Sequence, residues 1–183
     1  MSMRAFLAEN RAQLVSKWVR LVFEAYSSEA SRFFNREKDQ FANPVGHTLS
    51  QGIEILYDHL VQETDFDGVR QSLDDIVRIK AVQDFSPSEA VDFLFRLKRL
   101  VREEIQEHPG ENGISIEEVL EFESRIDALV LEAFNSFMKC REKIYDLKTN
   151  QIQNRVYRLL KRANLVVEIP DPEVDSGDVE NAK

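Results

Sequence analysis

ISIEEVLEFESRIDALVLEAFNSFMKCREKIYDLKTNQIQNRVYRLLKRANLVVEI, residues Ile114–Ile169, contains neither glycine nor proline. Ser115-x-x-Glu118 opens it with a capping box, in which hydroxyl and carboxylate each satisfy a backbone amide of the first turn. The usual globular helix has roughly 11–12 residues. A helix from this start to about Ala163 would be roughly 70 Å long at 1.5 Å per residue. That is too long for one small body, so the last half is expected to leave the bundle on which the first half packs. From Val119 to Met138 apolar residues are dense: Val119, Phe122, Ile126, Leu129, Val130, Ala133, Phe134 and Phe137. From Tyr145 onward they thin to Tyr145, Ile152 and Leu159 at intervals of seven, with Thr149, Val156 and Ala163 four residues after each. This is a heptad seam with weak a positions. Tyr145, Ile152, Val156 and Leu159 are its expected dimer contacts.

Upstream, the spacing of apolar residues reads as further helices and no strands. A first helix is expected over Met3–Ser27, with Leu7, Leu14, Trp18, Leu21 and Ala25 on its buried stripe. A short second one carries Phe33 and Phe34. Asn43-Pro44 starts a third, since asparagine caps and proline at the first helical position loses no needed hydrogen bond. Val45, Leu49, Ile53, Leu56 and Leu60 give its inner face. A fourth spans about Phe66 to Val82, with Val69, Leu73, Ile76, Val77 and Lys80 on one side. Ser86-Pro87-Ser88-Glu89 combines a capping box with proline for the fifth, which runs to about Gln106 before His108-Pro109-Gly110. The fold expected is all-α: about six helices and a long protruding C-terminal helix.

The chain has 183 residues and a net charge of −9. Six acids and one base fall in Leu165–Lys183, so residues 1–164 carry only 27 acids against 23 bases. The tail 165–183 is expected to be disordered and acidic. A duplex-coating protein would need a basic surplus. The bases Arg96, Lys98, Arg99 and Arg102 follow a first turn holding Glu89 and Asp92, unlike a recognition helix, so no nucleic-acid partner is expected. Cys140 is the single cysteine, which rules out an intramolecular disulfide and suggests a reducing compartment, with a buried thiol expected in the long helix. No window approaches 18 consecutive apolar residues, so no membrane span is expected and the location is read as cytoplasmic.

Chemistry is thin. His47, His59 and His108 show no metal-site spacing, and His47 and His59 lie about 18 Å apart along one helix by the helical rise. No metal site and no cofactor is expected; His59 is the one alternative haem-ligand candidate. Adjacent acids such as Asp74-Asp75 and Glu103-Glu104 point apart on a helix and read as solvated faces. No phosphate loop or nucleophile motif occurs, so an enzyme is not expected.

Three stretches point to a family. They are Asp75-Ile-Val-Arg-Ile-Lys-Ala-Val-Gln-Asp-Phe-Ser-Pro-Ser-Glu-Ala90, Phe41-Ala-Asn-Pro-Val-Gly46, and Phe-Leu-x-x-Asn-Arg-x-x-Leu-Val-x-x-Trp over Phe6–Trp18. Together they resemble the bacterial RsbRD N-terminal domain family over roughly residues 4 to 150. In related stressosome proteins this module is a globin-like helical sensor that does not retain haem. It dimerises and passes its state down a long exit helix to a STAS domain that controls a switch kinase. No STAS domain is expected after the exit helix, so only the input half is expected to carry over. The resemblance implies a globin-like domain at 1–140, an exit-helix extension with the coiled-coil seam at 141–164, and the tail. It further implies a non-enzymatic sensor that homodimerises and hands its state to a separate downstream signalling protein. A small-ligand or haem-binding globin-like protein is the alternative, and a DNA-binding regulator a weaker one. The cavity a haem would fill is expected to be occupied by Phe33, Phe34, Phe93 and Phe95. If a small molecule binds, Arg78, Lys80, Gln83 and Asp84 are its polar candidates.

Overall fold

Asn10 splits the expected first helix. In the computed structural model, which describes residues 1–62, 68–107 and 113–165, α1 is Met3–Glu9 and α2 is Arg11–Glu24. The Asn10 side-chain amide donates to the Phe6 carbonyl at 2.9 Å, offering the backbone a local alternative to the helical ladder. Two helices thus stand where one was expected, and Ala25 is exposed at the end of α2. The remaining helices are α3 (Ser28–Arg36), α4 (Pro44–Gln62), α5 (Arg70–Val82), α6 (Pro87–Glu107) and α7 (Ile116–Arg162). The described residues are all-helical, with seven helices and no strand. The expected α5 start at Phe66 and the segment His108-Pro109-Gly110 lie outside the described residues, as does the tail beyond Leu165.

Five of the seven helices, all but α2 and α5, begin at a side-chain cap. Ser27 accepts from the Ala30 amide. Ser86 and Glu89 exchange both bonds of their capping box, as do Ser115 and Glu118. Asn43 is more demanding. Its Oδ1 accepts from the Gly46 amide and its Nδ2 donates to the Glu37 carbonyl, both at 2.9 Å, and the side chain is buried. A Cβ on Gly46 would lie 2.3 Å from Asn43 Nδ2. Asn-Pro-Val-Gly is therefore one device: a cap, a preset first turn, and the space the cap needs. Gly46→Ala is expected to cost about 1–2 kcal/mol by displacing the cap. In an Asn43→Ala background, chemical denaturation should show most of that cost gone.

The chain divides into two units, Met1–Ile144 and Tyr145–Lys183. In the first, α2 packs against α4 and α6, and α4 against α5. Trp18 is fully buried on α2, its indole donating to the Phe93 carbonyl at 2.7 Å over a stacked Phe93 ring. Tyr57 on α4 donates to the Leu7 carbonyl of α1 at 2.8 Å, and burial pushes its phenol up. Gly52 brings α4 onto α5 so closely that a Cβ there would lie 2.8 Å from Ile76 Cδ1. Phe122, Ile126, Leu129, Ala133 and Phe137 of α7 complete the core, with Cys140 half-buried rather than fully buried. The thiol misses full burial because it lies at the edge of the stripe formed by those residues.

Charges tie helices together across the sequence. Arg11 grips Asp58 with two bonds of 2.6 and 2.8 Å. Buried Glu104 takes Lys17 at 2.8 Å and Gln13 at 2.9 Å. All four bases of α6 are engaged by acids: Arg96 with Asp92, Lys98 with Asp127, Arg99 with Glu103 and Arg102 with Glu123.

The described part of the second unit is the end of α7. Asn164, in a left-handed conformation (φ 54°), stops the helix, and the Leu165 amide closes back on the Leu160 carbonyl at 3.0 Å.

Candidate functional site

Lys80 lies on the stripe that buries α5. Val69, Leu73, Ile76 and Val77 precede it at helical spacing, and all are buried. The side chain is 1% exposed, although lysine is almost never fully buried unless it is paired. Its Nζ meets ring faces instead of a carboxylate: Phe85 at 4.4 Å, Tyr26 at 5.7 Å and Phe93 at 5.8 Å from the centroids. Ring quadrupoles attract a cation at this range. Tyr26 and Phe85 stand edge to face at 5.1 Å, and Tyr26 and Phe34 at 5.2 Å.

Burial pushes the Lys80 ammonium down to about 8. Asp92 and Glu89 on α6 resist that shift and Arg96 adds to it. The Tyr26 hydroxyl is buried with no hydrogen-bond partner among the described residues, and burial pushes it up to about 12. A buried amine and an orphaned phenol thus share one aromatic cage.

The turn after α5 fastens this cage to α7. Asp84 is left-handed (φ 59°), and the Phe85 amide donates to the Lys80 carbonyl at 3.3 Å. That closure ends α5 and turns the Phe85 ring onto Lys80. Arg141 of α7 donates through Nη1 to the Ala81 carbonyl at 3.2 Å and to Asp84 Oδ1 at 3.1 Å. One turn earlier in α7, Ser136 donates to Asp74 of α5 at 2.6 Å. Asp-Phe-Ser-Pro-Ser is thereby explained: a left-handed stop, a cage wall, and the cap of α6.

Of the four polar residues selected from sequence, Lys80 is buried, while Arg78, Gln83 and Asp84 are exposed. Asp84 faces Arg141. Sequence reasoning named Phe93 only as a core aromatic and placed neither it nor Tyr26, Phe85 and Arg141 around Lys80. Phe85 lies within the quoted motif and could have been found; the other three come from other elements of the fold. Phe34 and Phe93 are buried as expected, whereas Phe33 and Phe95 are 38% and 47% exposed, because α3 and α6 turn those positions outward.

A separate cleft of about 630 Å³ lies between α2, α3 and α4, with Arg11, Arg20, Lys38, His47, Glu37 and Glu54 among its lining. His59 is half-buried on α4, and His108 lies outside the described residues. Among the described residues no group of three or more His, Cys, Asp or Glu side chains could hold a metal ion. No described helix is long and apolar enough to cross a membrane.

In the second unit, every described residue from Tyr145 to Leu165 is exposed. Tyr145, Leu147, Ile152, Val156, Tyr157, Leu159 and Leu160 are between 41% and 63% exposed.

A family model described as "RsbT co-antagonist protein rsbRD N-terminal domain" matches residues 12–152. An uncharacterized protein of Archaeoglobus fulgidus is 26% identical over 81 residues, covering 44% of this chain and 49% of that protein. The chain therefore spans about half the length of that curated relative. No solved structure gives a significant match.

Proposed function

Because the chain belongs to the RsbT co-antagonist protein rsbRD N-terminal domain family, a family of regulatory sensor modules, we propose that it is a cytoplasmic, non-enzymatic signalling module. It acts as a homodimer and hands its state through α7 to a separate protein. One observation carries this reading: the apolar ladder Tyr145, Ile152, Val156 and Leu159, whose members are all exposed in the single chain. A helix of this length gains most of its stability from covering an apolar face, and seven-residue spacing suits a second copy of the same helix. Thr149 and Ala163 bury little at the intervening positions, so the seam alone is weak and adjustable, a property that suits a relay.

A contact between α5 and α7 supports the relay. Arg141 holds the end of α5 and belongs to the helix that carries the ladder. A rearrangement at Phe85 or Asp84 reaches α7 through that guanidinium. Sedimentation equilibrium of the full chain is expected to give a dimer at micromolar concentration. A monomer under those conditions would remove dimerisation from the reading.

A further inference from the structure

The Lys80 cage is an unusual thing to build into a core. A methionine would fill the same space without a charge to desolvate. Instead an amine is enclosed by Phe85, Tyr26 and Phe93, with the Tyr26 hydroxyl orphaned beside it. Phe85, the nearest ring, is bonded through its own amide to the Lys80 carbonyl and follows Asp84, the residue that Arg141 grips. A change in how the amine holds Phe85 therefore acts within one residue of the tie to α7.

We propose that the Lys80 cage is a proton-operated switch: loss of the Nζ proton releases Phe85 from the ammonium and thereby loosens the Asp84–Arg141 tie on α7. The inference rests on the reading of the chain as a signalling module and names its input as alkalinisation.

The cation–π attraction exists only while Nζ is charged, and it binds Phe85 most strongly because that ring is closest. The other groups facing Lys80 set the window. From α6, Asp92 and Glu89 favour the charged form and Arg96 opposes it. From the junction of α2 and α3 comes Tyr26, which stays protonated throughout. From α7, Arg141 sits on Ala81 and Asp84. α4 meets α5 through Gly52 on Ile76. Burial outweighs the favourable carboxylates, bringing Lys80 down from an ordinary 10.5 to about 8.

The sign follows from linkage. Between about 8 and 10.5 the unfolded chain holds the proton on Lys80 and the folded chain does not, so stability should rise with pH across that window. Below about 8 both states hold it, and this contribution is flat.

The test uses the full chain with 13C-labelled lysine, following the Lys80 Cε signal and the Arg141 Nε–H signal by NMR from pH 6.5 to 9.5. The Lys80 signal is assigned with Lys80→Met. Lys80 is expected to titrate near pH 8, with Arg141 shifting at the same midpoint. In parallel, the unfolding equilibrium constant of the wild type, relative to Lys80→Met, should fall about tenfold per pH unit above 8. A Lys80 signal that stays flat to pH 9.5 would overturn the switch. So would a Lys80 titration that leaves Arg141 unmoved. Both NMR readouts come from the wild type; should the Lys80→Met chain fail to fold, the Lys80 Cε signal is assigned by through-bond correlation to its own backbone amide, and the coupled titration still decides. Self-association is measured separately, so a monomeric chain with a coupled Lys80–Arg141 titration would count against the dimer and leave the switch standing.

Discussion

Replacing both Ile152 and Leu159 with aspartate is expected to weaken self-association by at least about 100-fold and to leave the first unit as stable as before. The two side chains are 63% and 56% exposed in the single chain, so more than half of each is still available for burial. Full burial of such a side chain contributes about 1.5–3 kcal/mol. Taking a little over half of that for each of four side chains in a symmetric pair gives roughly 4–7 kcal/mol. Each 1.4 kcal/mol is tenfold in affinity, so even the low end exceeds a hundredfold. Opposed carboxylates at the same positions add repulsion. Exposed substitutions away from packed features usually shift stability by no more than about 0.5 kcal/mol. Sedimentation equilibrium would read the first effect and thermal unfolding the second. A dissociation constant unchanged by the double substitution would show that the seam is not the contact.

Local features were legible in the sequence, and those depending on distant helices were not. Capping boxes at Ser86 and Ser115 and the asparagine cap at Asn43 are four-residue devices, and all three stand as read. The i,i+4 pairs Asp92–Arg96 and Arg99–Glu103 also form. Periodicity placed Lys80 with Val69, Leu73, Ile76 and Val77 on the inner side of α5, where it lies. What periodicity could not supply was the company Lys80 keeps. Tyr26 and Phe93 are 54 residues before it and 13 after it in the chain, and their approach depends on how α2, α5 and α6 pack. Asp74 shows the same limit. Its helical spacing from Arg78 suggests a surface pair, yet its carboxylate takes Ser136 of α7. Asn10 was hidden differently: the apolar stripe continues through it, and the break shows in its backbone, at φ −93° and ψ 11°.

The two ends of α5 also differ in what they tie together. Asp74 and Asp84 are both held by α7, by a serine at one end and an arginine at the other. The bond to Ser136 is short and partly buried. The Arg141 contacts, at 3.1 and 3.2 Å, are longer, and Asp84 is largely exposed.

Trp18→Ala is expected to be the most damaging single change in the first unit, costing about 3–5 kcal/mol. The indole is fully buried, stacks on Phe93 with centroids 6.1 Å apart, and donates to the Phe93 carbonyl. Truncation removes the transfer free energy of the largest side chain in the core and leaves a cavity between α2 and α6. At roughly 2–4 °C per kcal/mol for a domain of this size, the melting temperature should fall by about 6–20 °C. Trp18→Phe separates the two contributions. It keeps an aromatic body and loses the indole donor, but the Phe93 carbonyl retains its place in the α6 ladder, so the loss from the hydrogen bond should be only about 1 kcal/mol. The consequence reaches the cage as well, because Phe93 is the ring that Trp18 supports and one of the three that enclose Lys80. With Phe93 free to move and water admitted, desolvation of the ammonium should weaken, and Lys80 should titrate closer to its ordinary range in Trp18→Ala than in Trp18→Phe. If the two variants show the same Lys80 titration despite different melting temperatures, the cage does not depend on α2 for its shape.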